Sequence, residues 1–220
     1  MFTREQFERW RLKWSKKLYA DKSLQNEALD VLVKADKYNW IHQTNWFGEP
    51  ILNLPQDMFA IQEIIFTTKP EYIIEVGVAW GGSSLFYSTI IEMLGGKKVI
   101  GIDIYIPPDL KKRIFSIKKL SRRIKYIEGS SIDSETIHSL KKIIGTTKKN
   151  LIILDSNHTH DHVLKELNIY SEFLEKGFYL ICGDTIIENI PQQAHRDRKW
   201  GHGNNPMTAL QEFLKTNKNF

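Results

Sequence analysis

From residue 70 onward the sequence predicts an α/β fold, a doubly wound and mostly parallel sheet flanked by helices. Two observations carry this. Short, continuously apolar runs recur, as expected of strands covered on both faces, and a stretch of helical periodicity follows each of them, five times in series. A third observation agrees. Glycines and acidic residues gather just after the apolar runs, at the carboxyl ends of the strands, where sheets of this kind bind ligands.

The elements follow in order. Phe7, Trp10, Trp14 and Leu18 recur at helical spacing within residues 5–20, and a second amphipathic segment covers 24–38. Residues 41–54 read as a loop, because Gln43-Thr-Asn-Trp-Phe-Gly-Glu-Pro50 is full of turn formers. Residues 1–54 are therefore expected to be an N-terminal helical extension and 55–220 the main domain. Pro55 opens a helix with Asp57 in its first turn. Strands are expected at 72–76, 99–104, 124–127, 151–154 and 178–182. Helices are expected over 83–94, 109–119, 134–144, 162–175 and 207–215, the last with Asn205 as N-cap and Pro206 at its first position.

A chain of 220 residues can bury a proper core, and 41% hydrophobic with 26% charged residues is ordinary for a soluble globular protein. The lone cysteine, Cys182, excludes an internal disulfide and suits a reducing compartment; within its apolar run it reads as core. No apolar run approaches the roughly 18 residues that span a bilayer, and the first ten residues lack the apolar core of a signal peptide. A cytoplasmic location is expected. The net charge is +5, with much of the excess between Lys111 and Lys125. That run is a solvated helix face, an attraction for an anionic substrate such as a nucleotide-linked sugar, or a peripheral contact with a membrane surface. It is not interleaved with aromatics, and no nucleic-acid partner is expected.

The chemistry is concentrated after the strands. In Tyr72-Ile-Ile-Glu-Val-Gly-Val-Ala-Trp-Gly-Gly-Ser-Ser84, Gly77, Gly81 and Gly82 allow a sharp turn and close approach to a ligand. The spacing is not the Gly-x-Gly-x-x-Gly of dinucleotide sites. A pyrophosphate would gain little from the neighbouring Glu75, whereas a ligand carrying an ammonium group would gain from it, and S-adenosylmethionine is such a ligand. Asp103, ending the second strand, can accept both ribose hydroxyls of an adenosine ligand, a device that identifies adenosine rather than the reaction. The small residues of Glu128-Gly-Ser-Ser-Ile-Asp133 suit the flank of an adenine ring, and Ser130 or Ser131 also suits a helix N-cap. Asp155 and Asp184 close the fourth and fifth strands and face one crevice. Two such carboxylates repel unless one protonates or a cation bridges them, and hard oxygen donors suit Mg²⁺. Three histidines follow, in His158-Thr-His-Asp-His162; a zinc or iron site there is the competing reading. His158, nearest the carboxylate pair, is the candidate general base for a hydroxyl proton. The long polar segment 185–205 reads as a lid or substrate element, with Arg196, Trp200 and His202 as contacts for a sugar or aromatic substrate.

Six motifs stand in order: Asn53-Leu-Pro-Gln-Asp-Met58, Glu75-Val-Gly-Val-Ala-Trp-Gly-Gly-Ser83, Gly129-Ser-Ser131, Leu154-Asp-Ser-Asn-His158, Gly183-Asp-Thr185 and Gly203-Asn-Asn-Pro206. Together, over about residues 40–220, they resemble the cephalosporin hydroxylase / rhamnosyl O-methyltransferase family. The resemblance implies a Rossmann-like class I S-adenosylmethionine-dependent methyltransferase fold and O-methyl transfer to a hydroxyl of a sugar, glycoconjugate precursor or natural product. By position it implies that Glu75, Gly77, Gly81 and Ser83 hold the methionine part, Asp103 the ribose and Ser131 the adenine edge. Asp155 and Asp184 would hold Mg²⁺, with Asp155 and His158 beside the substrate hydroxyl as the catalytic pair. Metal-binding relatives often carry Glu-Asp where this chain has Gly183-Asp184, so Thr185 or water is expected to complete the metal site. The class also normally ends in a two-stranded hairpin, which is missing before Phe220. Truncation, an N-terminal segment, or a partner subunit in a homo-oligomer would account for the exposed fifth strand. The alternatives to a methyltransferase are a metal-dependent hydroxylase or hydrolase built on His158–His162, and a truncated, non-catalytic homologue.

Overall fold

The computed structural model describes residues 2–193 and 195–220. The chain divides into two compact units, one up to Trp40 and one from Ile41 to Phe220, so the division falls earlier than residue 54. The first unit holds helices α1 (Arg4–Ala20) and α2 (Lys22–Asp36). Thr3 and Gln6 form a capping box at the start of α1, and Asp21 caps α2 by accepting from the Leu24 N–H.

The second unit begins with a hairpin, β1 (Thr44–Trp46) and β2 (Glu49–Ile51), and continues with α3 (Pro55–Thr68), β3 (Tyr72–Val76), α4 (Gly82–Leu94), β4 (Lys98–Asp103), α5 (Pro108–Ser116), α6 (Lys118–Ser121), β5 (Ile124–Glu128), α7 (Ser134–Ile144), β6 (Asn150–Leu154), α8 (His160–Ser171), β7 (Leu180–Cys182) and α9 (Pro206–Thr216). Strands β3 to β7 form one parallel sheet in the order β5-β4-β3-β6-β7. This is the doubly wound sheet the sequence predicts. Its order reverses between β3 and β6, which opens a crevice beside the loop after β3.

Successive side chains alternate between the faces of the sheet. Ile73, Val99, Leu151 and Ile153 pack with α3, α4, α5 and α6, while Ile74, Val76, Ile100, Ile102, Ile152 and Leu154 pack with α7, α8 and α9. The same alternation turns Glu75 toward the α3–α4 side, beneath the loop that follows β3. At α9, Asn205 accepts from the N–H groups of Met207 and Thr208 at 2.9 and 3.3 Å, and Pro206 follows, as the sequence predicts.

Two elements differ from expectation. The hairpin replaces a loop because Trp46 anchors it. Its ring meets Phe86 at 5.0 Å and its indole N–H donates to Thr89 at 3.1 Å. The turn at Phe47-Gly48 is left-handed at both residues, and Pro50 lies inside β2, which made the strand hard to read. The basic helix expected over 109–119 breaks at Ile117 into α5 and α6.

Candidate active site

One row of residues runs across the carboxyl edge of the sheet. Beyond the last paired strand residues, the Gly77 N–H donates to Ile102 O at 2.9 Å, Asp155 N–H to Val76 O at 2.8 Å, and Gly183 N–H to Leu154 O at 2.8 Å. Asp103 pairs with Glu128 at the same level. The row therefore reads Glu128, Asp103, Gly77, Asp155, Gly183. The sheet register alone brings the residues expected to hold an adenosine ligand alongside those expected to hold a cation.

The glycines of the loop after β3 serve the fold as much as a ligand. Gly77 has φ +98°, and a Cβ there would lie 2.1 Å from the Asp155 carbonyl oxygen. Gly82 opens α4, and a Cβ there would lie 2.3 Å from the Pro50 carbonyl oxygen, where β2 crosses the helix. Both positions therefore require glycine for the fold itself, whatever they contribute to a ligand.

Glu75 is buried, and its carboxylate accepts from the Ser84 hydroxyl. Burial pushes its pKa up to about 7. Hydrogen bonds from Ser83 and Ser84 oppose the rise, and the nearby charges of Asp155 and Asp103 add to it. Asp103 holds the loop itself: one oxygen accepts from the N–H groups of Val78 and Ala79 at 2.8 and 3.3 Å, the other from Tyr105 N–H at 3.3 Å. Gly81, left-handed at φ +80°, precedes the first turn of α4, where Ser83 lies.

The second half of the site is a cluster of three donors. Asp155, His158 and Asp184 each offer an atom within 4.8 Å of the others, the one such group among the described residues. His158 Nε2 lies 3.5 Å from Asp184 Oδ2. Burial, and then repulsion from Asp184, raise the Asp155 pKa to about 7; the Asn53 side-chain N–H₂, donating at 3.1 Å, opposes the rise. Burial lowers the His158 pKa and keeps the imidazole neutral, against the pull of Asp184. Asp57 is raised as well, by burial and then by Asp184. Asp184 sits in a left-handed conformation, exposed, and Thr185 opens the 3₁₀ turn Thr185–Asn189 that follows it. Two hard carboxylates and a neutral imidazole, already repelling as acids, fit a divalent cation.

The three histidines diverge. His160 contacts Thr208 at 2.8 Å and Glu212 at 3.3 Å, and His162 contacts Ser131 at 3.0 Å and Glu166 at 3.1 Å. Only His158 reaches the carboxylate pair, so a metal centre built on His158, His160 and His162 together has no geometric basis. Ser131 is buried and does not cap α7, whose N-cap is Asp133; its hydroxyl donates to Glu166 at 2.5 Å. Ser156, beside Asp155, donates to the same Glu166 oxygen at 2.7 Å. The sequence assigns no site role to Asn53, Asp57 or Glu166, although Asn53 and Asp57 stand in the first of the six motifs. The signal was available for Glu166, an acid on the buried face of α8 between Val163, Leu167 and Tyr170.

The segment after β7 folds back over this cluster. Trp200 meets the His158 ring edge-on at 4.9 Å, and Arg198 lies 4.9 Å over the Trp200 ring. Glu188 ties the segment down, accepting from Gly203 N–H at 2.8 Å and from the Asn205 side chain, and it pairs with exposed His202 at 3.3 Å. His202 is thereby turned to Glu188, while Arg196 is half-buried within the segment. The basic run is laced with internal pairs: Lys111 with Glu128, Arg113 with Glu49 and Asp109, and Arg122 and Arg123 with Glu92. These pairs engage four of the eight cations of the run.

Comparison with known proteins agrees with this geometry. The family described as Rhamnosyl O-methyltransferase/CmcI matches residues 38–220. A Rhamnosyl O-methyltransferase of Mycobacterium bovis (strain BCG / Pasteur 1173P2) is 26% identical over 173 residues, covering 78% of this chain and 66% of that protein. One from Mycobacterium leprae (strain TN) is 28% identical over 150 residues, covering 67% and 63%. The chain thus spans just under two thirds of the length of these relatives. Among solved structures, CmcI with Mg and SAM superposes with a TM-score of 0.52 at 20% identity, covering 79% of this chain and 67% of that one. A putative caffeoyl-CoA O-methyltransferase from Staphylococcus aureus gives 0.54 at 16% identity, covering 91% and 87%. Both share the fold.

Proposed function

Because the chain belongs to the Rhamnosyl O-methyltransferase/CmcI family, we propose that its strand-end crevice carries out S-adenosylmethionine-dependent O-methyl transfer to a hydroxyl of a sugar, glycoconjugate precursor or natural product. The observation that carries the reading is the single row in which Asp103 and Gly77, above Glu75, stand beside Asp155, next to His158 and Asp184. Relatives named for rhamnosyl O-methyl transfer, and a CmcI fold neighbour bound to Mg and SAM, support the same cofactors here.

The chemistry is displacement at a sulfonium methyl, so the protein mainly aligns the two reactants and manages one proton. Glu75, Gly77, Gly81 and Ser83 would take the methionine part, with the Glu75 carboxylate facing its ammonium group. The Asp103 carboxylate, already oriented by Val78 and Ala79 N–H, would accept the ribose hydroxyls. Ser131 would stand at the adenine edge through its backbone N–H, since Glu166 engages its hydroxyl and the Tyr170 hydroxyl donates to its carbonyl. Asp155 and Asp184 would hold Mg²⁺, with Thr185 as further donor; a divalent cation held there would lower the pKa of a neighbouring hydroxyl. The neutral His158 imidazole, walled by Trp200, has a lone pair that can take the acceptor proton, and Asp155 stands next to it.

The test is calorimetric titration of the purified chain with S-adenosylhomocysteine, with and without Mg²⁺, followed by an acceptor screen. Micromolar binding and methyl transfer to a sugar hydroxyl are expected. A folded protein that binds nothing in either condition refutes the reading, and binding without transfer across a broad sugar panel supports a non-catalytic homologue instead.

A further inference from the structure

We propose that α1 is an interfacial helix that docks the protein on an anionic lipid surface. The inference stands apart from the methyl-transfer reading. Phe7, Trp10, Trp14 and Leu18 fall on one side of the helix by their spacing, and no residue of α1 is buried. The rings form a column. Phe7 and Trp10 stack with centroids 5.7 Å apart, Trp14 lies 6.3 Å from Trp10, and Phe2 extends the column at 6.2 Å from Trp10. Trp10 is 44% exposed, Trp14 50% and Leu18 54%, a large apolar surface left in water.

Charge selects the occupant. The helix carries Arg4, Arg9, Arg11, Lys13, Lys16 and Lys17 against Glu5 and Glu8, an excess of four within a chain whose net charge is +5. Both acids are taken up near the N-terminus, by Arg4, Arg9 and Arg11. Among the described residues no carboxylate pairs with Lys13, Lys16 or Lys17, and Lys17 lies 4.6 Å over the Trp14 ring. At about 100° per residue, Lys13 and Lys17 flank the aromatic column on one side and Arg11 on the other. Long basic side chains on both sides of an aromatic stripe can reach headgroup phosphates while the rings enter the acyl boundary. A second copy would bring an equally cationic helix against this one, whereas anionic headgroups supply the opposite sign. The contact would be peripheral, because no helix among the described residues is long and apolar enough to cross a membrane. It also differs from the basic run after residue 110, where Lys111, Arg113, Arg122 and Arg123 are paired within the protein and no aromatic column is present.

The experiment is co-sedimentation of the full chain with vesicles of phosphatidylcholine alone, or with about 30% phosphatidylglycerol added. Partitioning should be at least about tenfold stronger on the anionic vesicles and should fall steeply when salt shortens the screening length. Lys13→Glu/Lys16→Glu/Lys17→Glu should weaken it on the order of 100-fold, since each surface lysine is worth roughly fivefold. Trp10→Ala/Trp14→Ala should weaken it about tenfold or more with an unchanged thermal melt, because nothing in α1 is buried. Hydrogen exchange on the unmodified chain gives an independent reading: anionic vesicles should protect the α1 amides. Equal binding to both vesicles, full binding by the tryptophan variant, or no protection of α1 overturns the proposal. A solution dimer that Trp10→Ala/Trp14→Ala converts to monomer overturns it in favour of a second copy as the occupant.

Discussion

Replacing Asp155 by asparagine should stabilise the protein above neutral pH and abolish its response to divalent cations. The folded pKa of Asp155 is raised to about 7 from an ordinary 3.8, so folding takes up a proton at this carboxyl between those two values. Below about pH 4 the group is protonated in both states and the penalty vanishes. The penalty grows as the pH rises and is complete above about pH 7, which is the sign for an acid whose pKa is raised by folding. A rise from 3.8 to about 7 corresponds to about 4 kcal/mol if the group were sealed from water. Asp155 is half-buried and shares its repulsion with Asp184, so solvent screening reduces the figure to about 1–2 kcal/mol. An asparagine oxygen can still accept from Asn53, which keeps the local geometry. For a chain of this size the gain is roughly 2–8 °C in Tm near pH 8 and a smaller gain near pH 5. Scanning calorimetry at the two pH values, with and without saturating Mg²⁺ or Mn²⁺, measures it. Cation should raise the Tm of the unmodified protein and leave that of the variant alone. A Tm difference of equal size at both pH values, or a lower Tm for the variant at pH 8, would refute the argument from repulsion.

Three further outcomes are expected. Glu75 has its pKa raised to about 7 by burial, so the ionised form that faces a ligand ammonium gains population as pH rises; S-adenosylhomocysteine affinity should increase about tenfold from pH 6 to pH 8, and Glu75→Gln should flatten that slope in calorimetric titrations. Asp103→Ala should weaken the same ligand at least about tenfold, because it removes the ribose acceptor and releases the Val78 and Ala79 amides; unchanged affinity sinks the ribose assignment. His158→Gln separates two roles: if the imidazole takes the hydroxyl proton, turnover falls by about 10²–10⁴ with cation affinity retained, and if it is a cation ligand, Mn²⁺ affinity falls first in calorimetry.

The sheet was legible because its strands obey simple rules. Ile73, Ile74, Leu151 and Ile152 are buried on both faces, and continuously apolar runs say as much without any contact being known. The site was legible for the same reason: acids just after such runs have nowhere to lie but the carboxyl edge of the sheet. What the sequence could not carry was long-range partnership. Asn53 and Asp155 are 102 positions apart, and only the fold joins them. The β1–β2 hairpin was hidden because its stability comes from Trp46 packing on Phe86, a tertiary contact, while its own residues spell a turn with an internal proline. Glu166 stands out in the sequence only as an acid on the apolar face of α8, and its partners are not visible there. Its meaning lies in gathering Ser131 and Ser156, from the loops after β5 and β6, on a single buried oxygen.

The departure at Gly183 has a physical counterpart. A Cβ at that position would lie 2.8 Å from Asp155 Oδ1 and 3.0 Å from the Leu154 carbonyl oxygen. A side chain at 183 and the present Asp155 rotamer therefore compete for one space, and glycine resolves the competition in favour of Asp155. The carboxylate leans over β7 while Asn53 holds its other oxygen from the opposite side. His158 Nε2, 3.5 Å from Asp184 Oδ2 and braced by Trp200, is the remaining donor atom of the cluster. A cation held by the two carboxylates alone would suit Mg²⁺, and one that also took the imidazole would suit Mn²⁺ as well.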